Sequence, residues 1–187
     1  TYDAQGIVRV LEALEQKYNY LGVFCRSSGP AIHSAAAIAE RWGLAGITKD
    51  LAQIATSKSD FREFCHRSNI SAPRGIRTHT SENLVQDFGF PCIIKPDFPL
   101  VGKQEVRVLW EPDGAEEFLF KAAQASDNQM VELEEFIDGM DVAALFFLDK
   151  GETQILSIWD EMVAVKRDGG IEGVAVNIPS VISESEV

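Results

Sequence analysis

Ile7, Leu11, Leu14 and Tyr18 recur at the three- and four-residue spacing of one helix face, so the chain opens on an amphipathic helix. The run YLGVFC (20–25) reads as a short buried strand and the loop RSSGP follows it. The alanine-rich AIHSAAAIAERWG is then helical, with Gly43 as its stop. This β-loop-α order is the raw material of a parallel sheet with covering helices. The next segment, ITKDLAQIATSKSDFREFCHRSNISAPRG, is mostly helical, carries Phe61, Phe64 and Cys65 on one side, and ends at Pro73.

From about Arg74 the pattern changes. RGIRTH is strand-like, and TSENLVQDFG is a capped short helix closed by Gly89. PCIIKP and EVRVLW read as strands, DGAEEFLFKAAQAS as a helix that Asp113 caps, and QMVELEEFIDG as a strand with its connection. DVAALFFL, the turn DKGE and TQILSIW form an antiparallel hairpin. MVAVKRDGGIEGVAVNIP forms another pair of strands, joined at Asp168-Gly169-Gly170. The expected fold class is therefore α/β followed by α+β, the second part being antiparallel strands backed by two helices. The boundary falls between Gly46 and Thr56, which divides the chain into 1–50 and 51–187.

Bulk properties narrow the function. At 187 residues the chain suits one medium domain or two small ones. A formal charge of -12 argues against a nucleic-acid backbone or an anionic membrane as partner. A small phosphate-bearing ligand stays open if a few lysines are focused on it. Cys25, Cys65 and Cys92 are an odd count without metal-like spacing, and read as reduced, buried thiols of a cytoplasmic protein. There is no basic-then-apolar leader pattern, and VAALFFL is too short to span a bilayer. The chain opens on a helix without a methionine, and Ser183 and Glu186 in PSVISESEV form a capping-box pattern near its end. Both features set the expectation of a piece of a longer protein.

Lysines mark the candidate chemistry. Lys95 ends the apolar run Cys92-Ile93-Ile94, and an ammonium there needs compensation because desolvating a charge is costly. A bound phosphate supplies it; a neighbouring carboxylate does so equally well. Lys103 follows Gly102 in the next loop, where it is either a ligand contact or merely solvated. Lys58 stands near a helix start, opposing the macrodipole unless an anion is present. In MVELEEFIDGMD, Glu134, Glu135, Phe136 and Ile137 end a strand whose backbone can pair with a purine edge. Phe136 or Ile137 would line the pocket, and Asp141 can accept from two ribose hydroxyls. Read alone, that segment serves equally as an acidic surface strand. His33, His66 and His79 share no spacing and read as structural or surface residues.

Taken in order, SKSDFREFCHRSNISAPRG, GFPCIIKP, a glycine-bearing loop and VELEEFIDGMD resemble the ATP-grasp superfamily, in its carboxylate–amine ligase and carbamoyl-phosphate-synthase-like branch. YLGVFC and the helix after it look like the end of the Rossmann-like domain that precedes this fold, so that 51–187 would be the N-terminal ATP-grasp lobe. The resemblance implies ATP as cofactor, with Lys58 and Lys95 on its α- and β-phosphates. The loop 97–105 would close over the triphosphate, Gly102 and Lys103 nearest to it. Glu134 would meet the adenine amino group, the Glu135 and Ile137 backbones would read the adenine edge, and Asp141 would hold the ribose.

The sequence departs from the family pattern in several places. Pro99 stiffens a loop that has Gly102 as its one glycine, Glu105 stands where a glycine is usual, and Asp141 replaces the commoner glutamate. The family's magnesium ligands belong to a lobe absent from this sequence; Asp149, Glu152, Asp160 and Glu161 read as solvated strand ends. The implied parent enzyme phosphorylates a small-molecule carboxylate to an acylphosphate that an amine then attacks, while this piece binds nucleotide weakly and is inactive alone. The resemblance allows a homodimer. A non-catalytic nucleotide-binding module and a biotin-carboxylase-like enzyme are the alternatives.

Overall fold

The computed structural model describes residues 3–26, 29–79, 82–99 and 101–182, with backbone alone at 82 and 83. The capping box at Ser183 and Glu186, Ser27 and Ser28 of the RSSGP loop, the cap of the TSENLVQDFG helix and Leu100 of the glycine-bearing loop lie outside the described residues.

Four helices come first. α1 (Ala4–Leu14) is capped by Asp3, whose carboxylate accepts from the Gly6 N–H at 2.8 Å. α2 (Ala31–Trp42) stops at Gly43, whose φ of +62° is the left-handed turn expected there. α3 (Lys49–Thr56) and α4 (Lys58–Arg67) are separated only by Ser57. The extended backbone of Ser57 ends one helix, and its hydroxyl accepts from the Asp60 N–H to begin the next. α4 finishes at Arg67, with Asn69 in positive φ, well before the expected stop at Pro73.

The 20–25 run departs from expectation: it joins no sheet, and Leu21 and Phe24 are 87% and 88% exposed. A strand is held by its ladder, and every ladder among the described residues is antiparallel and lies elsewhere. Tyr20 instead bonds the Leu11 carbonyl (2.8 Å) and stands edge-on to Trp42 at 5.0 Å.

The remainder is α+β. β1 (Gly75–Thr78), β2 (Cys92–Pro96), β3 (Arg107–Leu109) and β4 (Val131–Glu135) form a four-stranded sheet in the order β1-β4-β2-β3. Its apolar face carries Cys92, Ile94, Leu109, Val131 and Leu133. Against it pack Val85 and Phe88 of α5 (Glu82–Phe88) and Ala115, Leu119, Ala122 and Ala123 of α6 (Ala115–Gln124). Asp113 does not cap α6. Gly114, at φ +80°, occupies that position without a side-chain bond, and Glu116 and Glu117 in the first turn face the positive helix end.

Strand alternation sends the polar residues to the other face, where Lys95 lies opposite Glu132 and Ile93 opposite Glu134. β5 (Asp141–Asp149), β6 (Glu152–Val165) and β7 (Ile171–Asn177) form a separate three-stranded antiparallel sheet. Lys150 and Gly151 both have positive φ at its first turn, as tight hairpins prefer. The second turn docks on the first sheet: the Val108 N–H donates to the Gly169 carbonyl at 2.8 Å, and Arg107 reaches Asp168 at 3.3 Å.

Candidate functional site

Lys58 and Lys95, far apart in sequence, meet where α4 begins and β2 ends. The Lys58 N–H donates to the Asp97 carbonyl (3.0 Å), and its ammonium donates to the Pro96 carbonyl (2.9 Å). Burial, and after it the repulsion of Lys95, pulls Lys58 down to about 8; Asp97, Glu134 and Glu132 act in the opposite direction. Lys95 is compensated by a carboxylate, for its ammonium is ion-paired with Glu134.

Three further groups fix this corner. Asp97 is fully buried and accepts from the Ser59 N–H (2.9 Å), the Ser59 hydroxyl (2.6 Å), the Ser57 hydroxyl (3.1 Å), the Asn128 amide (2.6 Å) and Arg77 (3.0 Å). Burial alone would push its carboxyl up; the bonds from Ser59 and Asn128 and the charge of Arg77 outweigh it and hold the carboxyl below its ordinary value. Glu132, also fully buried, is ion-paired through one oxygen with Arg62, while its other oxygen has no hydrogen-bond partner. Burial raises its carboxyl, and Arg62 opposes the rise.

The other expected contacts spread outward. Glu135 lies on the opposite side of its strand from Glu134 and accepts from the Arg74 N–H at 2.8 Å. The Phe136 ring stands against Trp110 at 5.2 Å, and its N–H donates to the Pro91 carbonyl (3.3 Å). Ile137 is 62% exposed. Asp141, exposed, opens β5 opposite Glu161, and Lys103 is ion-paired with that same Glu161 at 2.8 Å. The loop lysine thus sits on the second sheet, near Glu161 and Gly173, whereas the charges acting on Lys58 are those of Lys95, Asp97, Glu134 and Glu132. Gly102 is exposed, with open space around its α-carbon. Lys103 and Glu105 both have positive φ, and Glu105 turns toward Arg107 (3.8 Å).

Asp160 corrects one expectation. It is buried rather than solvated, and accepts from the Asn177 amide (3.0 Å), the Ser180 hydroxyl and the Val181 N–H (3.1 Å), which hold its carboxyl below the ordinary value. Glu161 is likewise paired rather than merely solvated.

Sequence reasoning missed Arg62, Arg77, Asp97, Asn128 and Glu132. Alternation in VELEE carried a signal for Glu132, since it sets that side chain on the face of Glu134. Arg62 stands one helical turn after Lys58, which carried another. A groove of about 760 Å³ between α1, α2 and α3 is lined by none of these residues; Arg41 with Glu12 and Lys49 with Glu40 neutralise each other along it. His33 on its floor bonds the Thr56 hydroxyl (2.8 Å) and faces Phe98. Among the described residues no group of three or more histidine, cysteine or acidic side chains could hold a metal, and no helix is long and apolar enough to cross a membrane.

No family model matches the sequence. Solved structures do. An L-amino acid ligase from Bacillus licheniformis aligns with 98% of this chain at 19% identity and a TM-score of 0.78. A D-alanine–D-alanine ligase from Bacillus anthracis aligns with 92% at 16% identity and a TM-score of 0.67. The biotin carboxylase domain dimer of the Hydrogenobacter thermophilus 2-oxoglutarate carboxylase, a complex with MgADP, ADP and bicarbonate, aligns with 99% at 17% identity and a TM-score of 0.72. This chain spans 42%, 57% and 42% of those three structures, respectively. These likenesses establish the fold, which is the ATP-grasp fold.

Proposed function

We propose that this chain is the ATP-binding portion of an ATP-grasp ligase, and that the whole enzyme activates a carboxylate as an acylphosphate for attack by an amine or similar nucleophile. The observation that carries the reading is the meeting of Lys58 and Lys95 beside Glu134 at the end of β2, within this fold. Two partly buried ammonium groups supply charge where phosphate oxygens would sit. Lys95 and Glu134 satisfy each other without ligand; with ATP, Lys95 turns to a phosphate oxygen and Glu134 accepts from the adenine amino group. The Glu135 carbonyl and Ile137 N–H read the adenine edge, Phe136 or Ile137 lines the pocket, and Asp141 takes the ribose hydroxyls. Gly102 and Lys103 belong to the lid and reach the triphosphate only when Lys103 leaves Glu161. Magnesium, when bound, would offset triphosphate charge.

ATP titration of the wild-type chain against Lys58→Ala and Lys95→Ala, with and without magnesium, tests the reading. Weak binding with little magnesium dependence is expected, reduced about 10-fold or more in each variant, the loss expected for a charged hydrogen bond. A lysine whose folded value lies near 8, below its unfolded value of about 10.4, sheds its proton from the folded state first. Affinity is therefore retained below pH 8 and falls as pH rises through it. Wild-type affinity in both variants would overturn the assignment of both lysines.

A second reading, a nucleotide-binding module without catalysis, is favoured by the loop, where Lys103 is engaged by Glu161 and an acidic Glu105 stands close by. ADP release by the full-length protein across carboxylate–amine pairs separates the two.

A further inference from the structure

Glu132 plays no part in the nucleotide contacts just described, yet it is fully buried and one of its oxygens has no partner. Such an acceptor is costly to bury and calls for an explanation. Its place in the fold supplies one. Glu132 faces Lys95 in register across β2 and β4. Arg62 and Lys58 stand one turn apart on α4, so the helix face that delivers Arg62 to Glu132 also carries Lys58 over the same carboxylate row.

The charges that act on Lys58 are, in decreasing strength, those of Lys95 on β2, Asp97 just beyond it, and Glu134 and Glu132 on β4. Both oxygens of Asp97 are occupied, by Ser57, Ser59, Asn128 and Arg77. Glu134 is engaged by Lys95. Of the three carboxylates, Glu132 is the one with a buried oxygen that lacks a hydrogen-bond partner among the described residues.

We infer that Glu132, anchored by Arg62, is a positioning residue for Lys58: a buried counter-charge that keeps that ammonium protonated beside Lys95 and ready for an anion. That the anion is a nucleotide phosphate rests on the function proposed above; the role of Glu132 toward Lys58 does not. The burial that depresses Lys58 makes such a counter-charge necessary at neutral pH.

The test is the pH dependence of Lys58 acetylation by acetic anhydride, followed by peptide mass spectrometry on the intact chain without nucleotide, with the exposed Lys121 as reference. The wild-type midpoint is expected near 8. In Glu132→Gln it falls by about one pH unit, giving roughly 10-fold greater reactivity at pH 7. Glu132→Asp, which keeps the charge, holds the wild-type midpoint. An unchanged midpoint in a folded Glu132→Gln variant overturns the inference. Carbon-13 NMR of the Glu132 carboxyl in the wild-type chain gives a check that no substitution can compromise: it must be ionised at pH 7, and a protonated carboxyl there overturns the role. Because ATP is absent, a chain that shows the expected midpoints but binds no ATP retires the nucleotide reading and leaves the role of Glu132 standing.

Discussion

Lys95 closes a strand whose alternate side chains, Cys92, Ile94 and Pro96, are buried, and its charge is met by Glu134. That a cation stood there was legible in the sequence, as was the acidic strand facing it; that the two would pair was not, because register is set by the fold. Asp97 was less legible still. It follows a proline in what reads as a loop, and its donors come from α4, β1 and the segment after α6. Asp97→Ala would leave Arg77, Ser57, Ser59 and Asn128 short of an acceptor, and is expected to cost about 3–5 kcal/mol, as removal of one partner from a buried ion pair does. Urea unfolding checks this. Asp60→Ala, which breaks a more exposed pair with Arg77, is the control and should cost about 1 kcal/mol or less.

At the scale of elements, the strongly periodic segments were largely read correctly: α1, α2, the four strands of the first sheet and the two turns of the second stand where alternation and turn residues put them, but TQILSIW and MVAV, read as strands of separate pairs, are one continuous strand, β6. The run 20–25 failed because a buried strand is defined by partners that a local pattern does not contain. The Asp113 cap failed because Gly114 supplies the chain reversal itself. The contact between the second hairpin and β3 was invisible in the sequence, and Gly169 makes its closest backbone approach there. A β-carbon on Gly169 would lie 2.2 Å from the Val108 carbonyl oxygen, and φ there is +79°. Gly169→Ala is expected to destabilise by about 1–3 kcal/mol and to deprotect the Val108 amide in hydrogen exchange. Gly151→Ala shares the positive φ but opens into free space, so it should leave Val108 protected.

For the molecule as a whole, a formal charge of -12 coexists with lysines and arginines gathered at one corner of one sheet. Net charge therefore says little about a small anionic ligand, while local arrangement says much. The ATP-grasp fold was legible from four short segments in order, because each carries a charge or glycine at a fixed place relative to a strand or helix. The central claim is that Lys58 and Lys95 mark a nucleotide phosphate site. An acyl-phosphate derivative of ATP, which transfers its acyl group to lysines lying against the bound phosphates, tests it most directly when the modified residues are identified by mass spectrometry. The expected result is ATP-competable modification of Lys58 and Lys95, with Lys49, Lys121 and Lys150 untouched. Modification centred on Lys49 in the α1–α3 groove, or spread evenly over the surface lysines and insensitive to ATP, would contradict it.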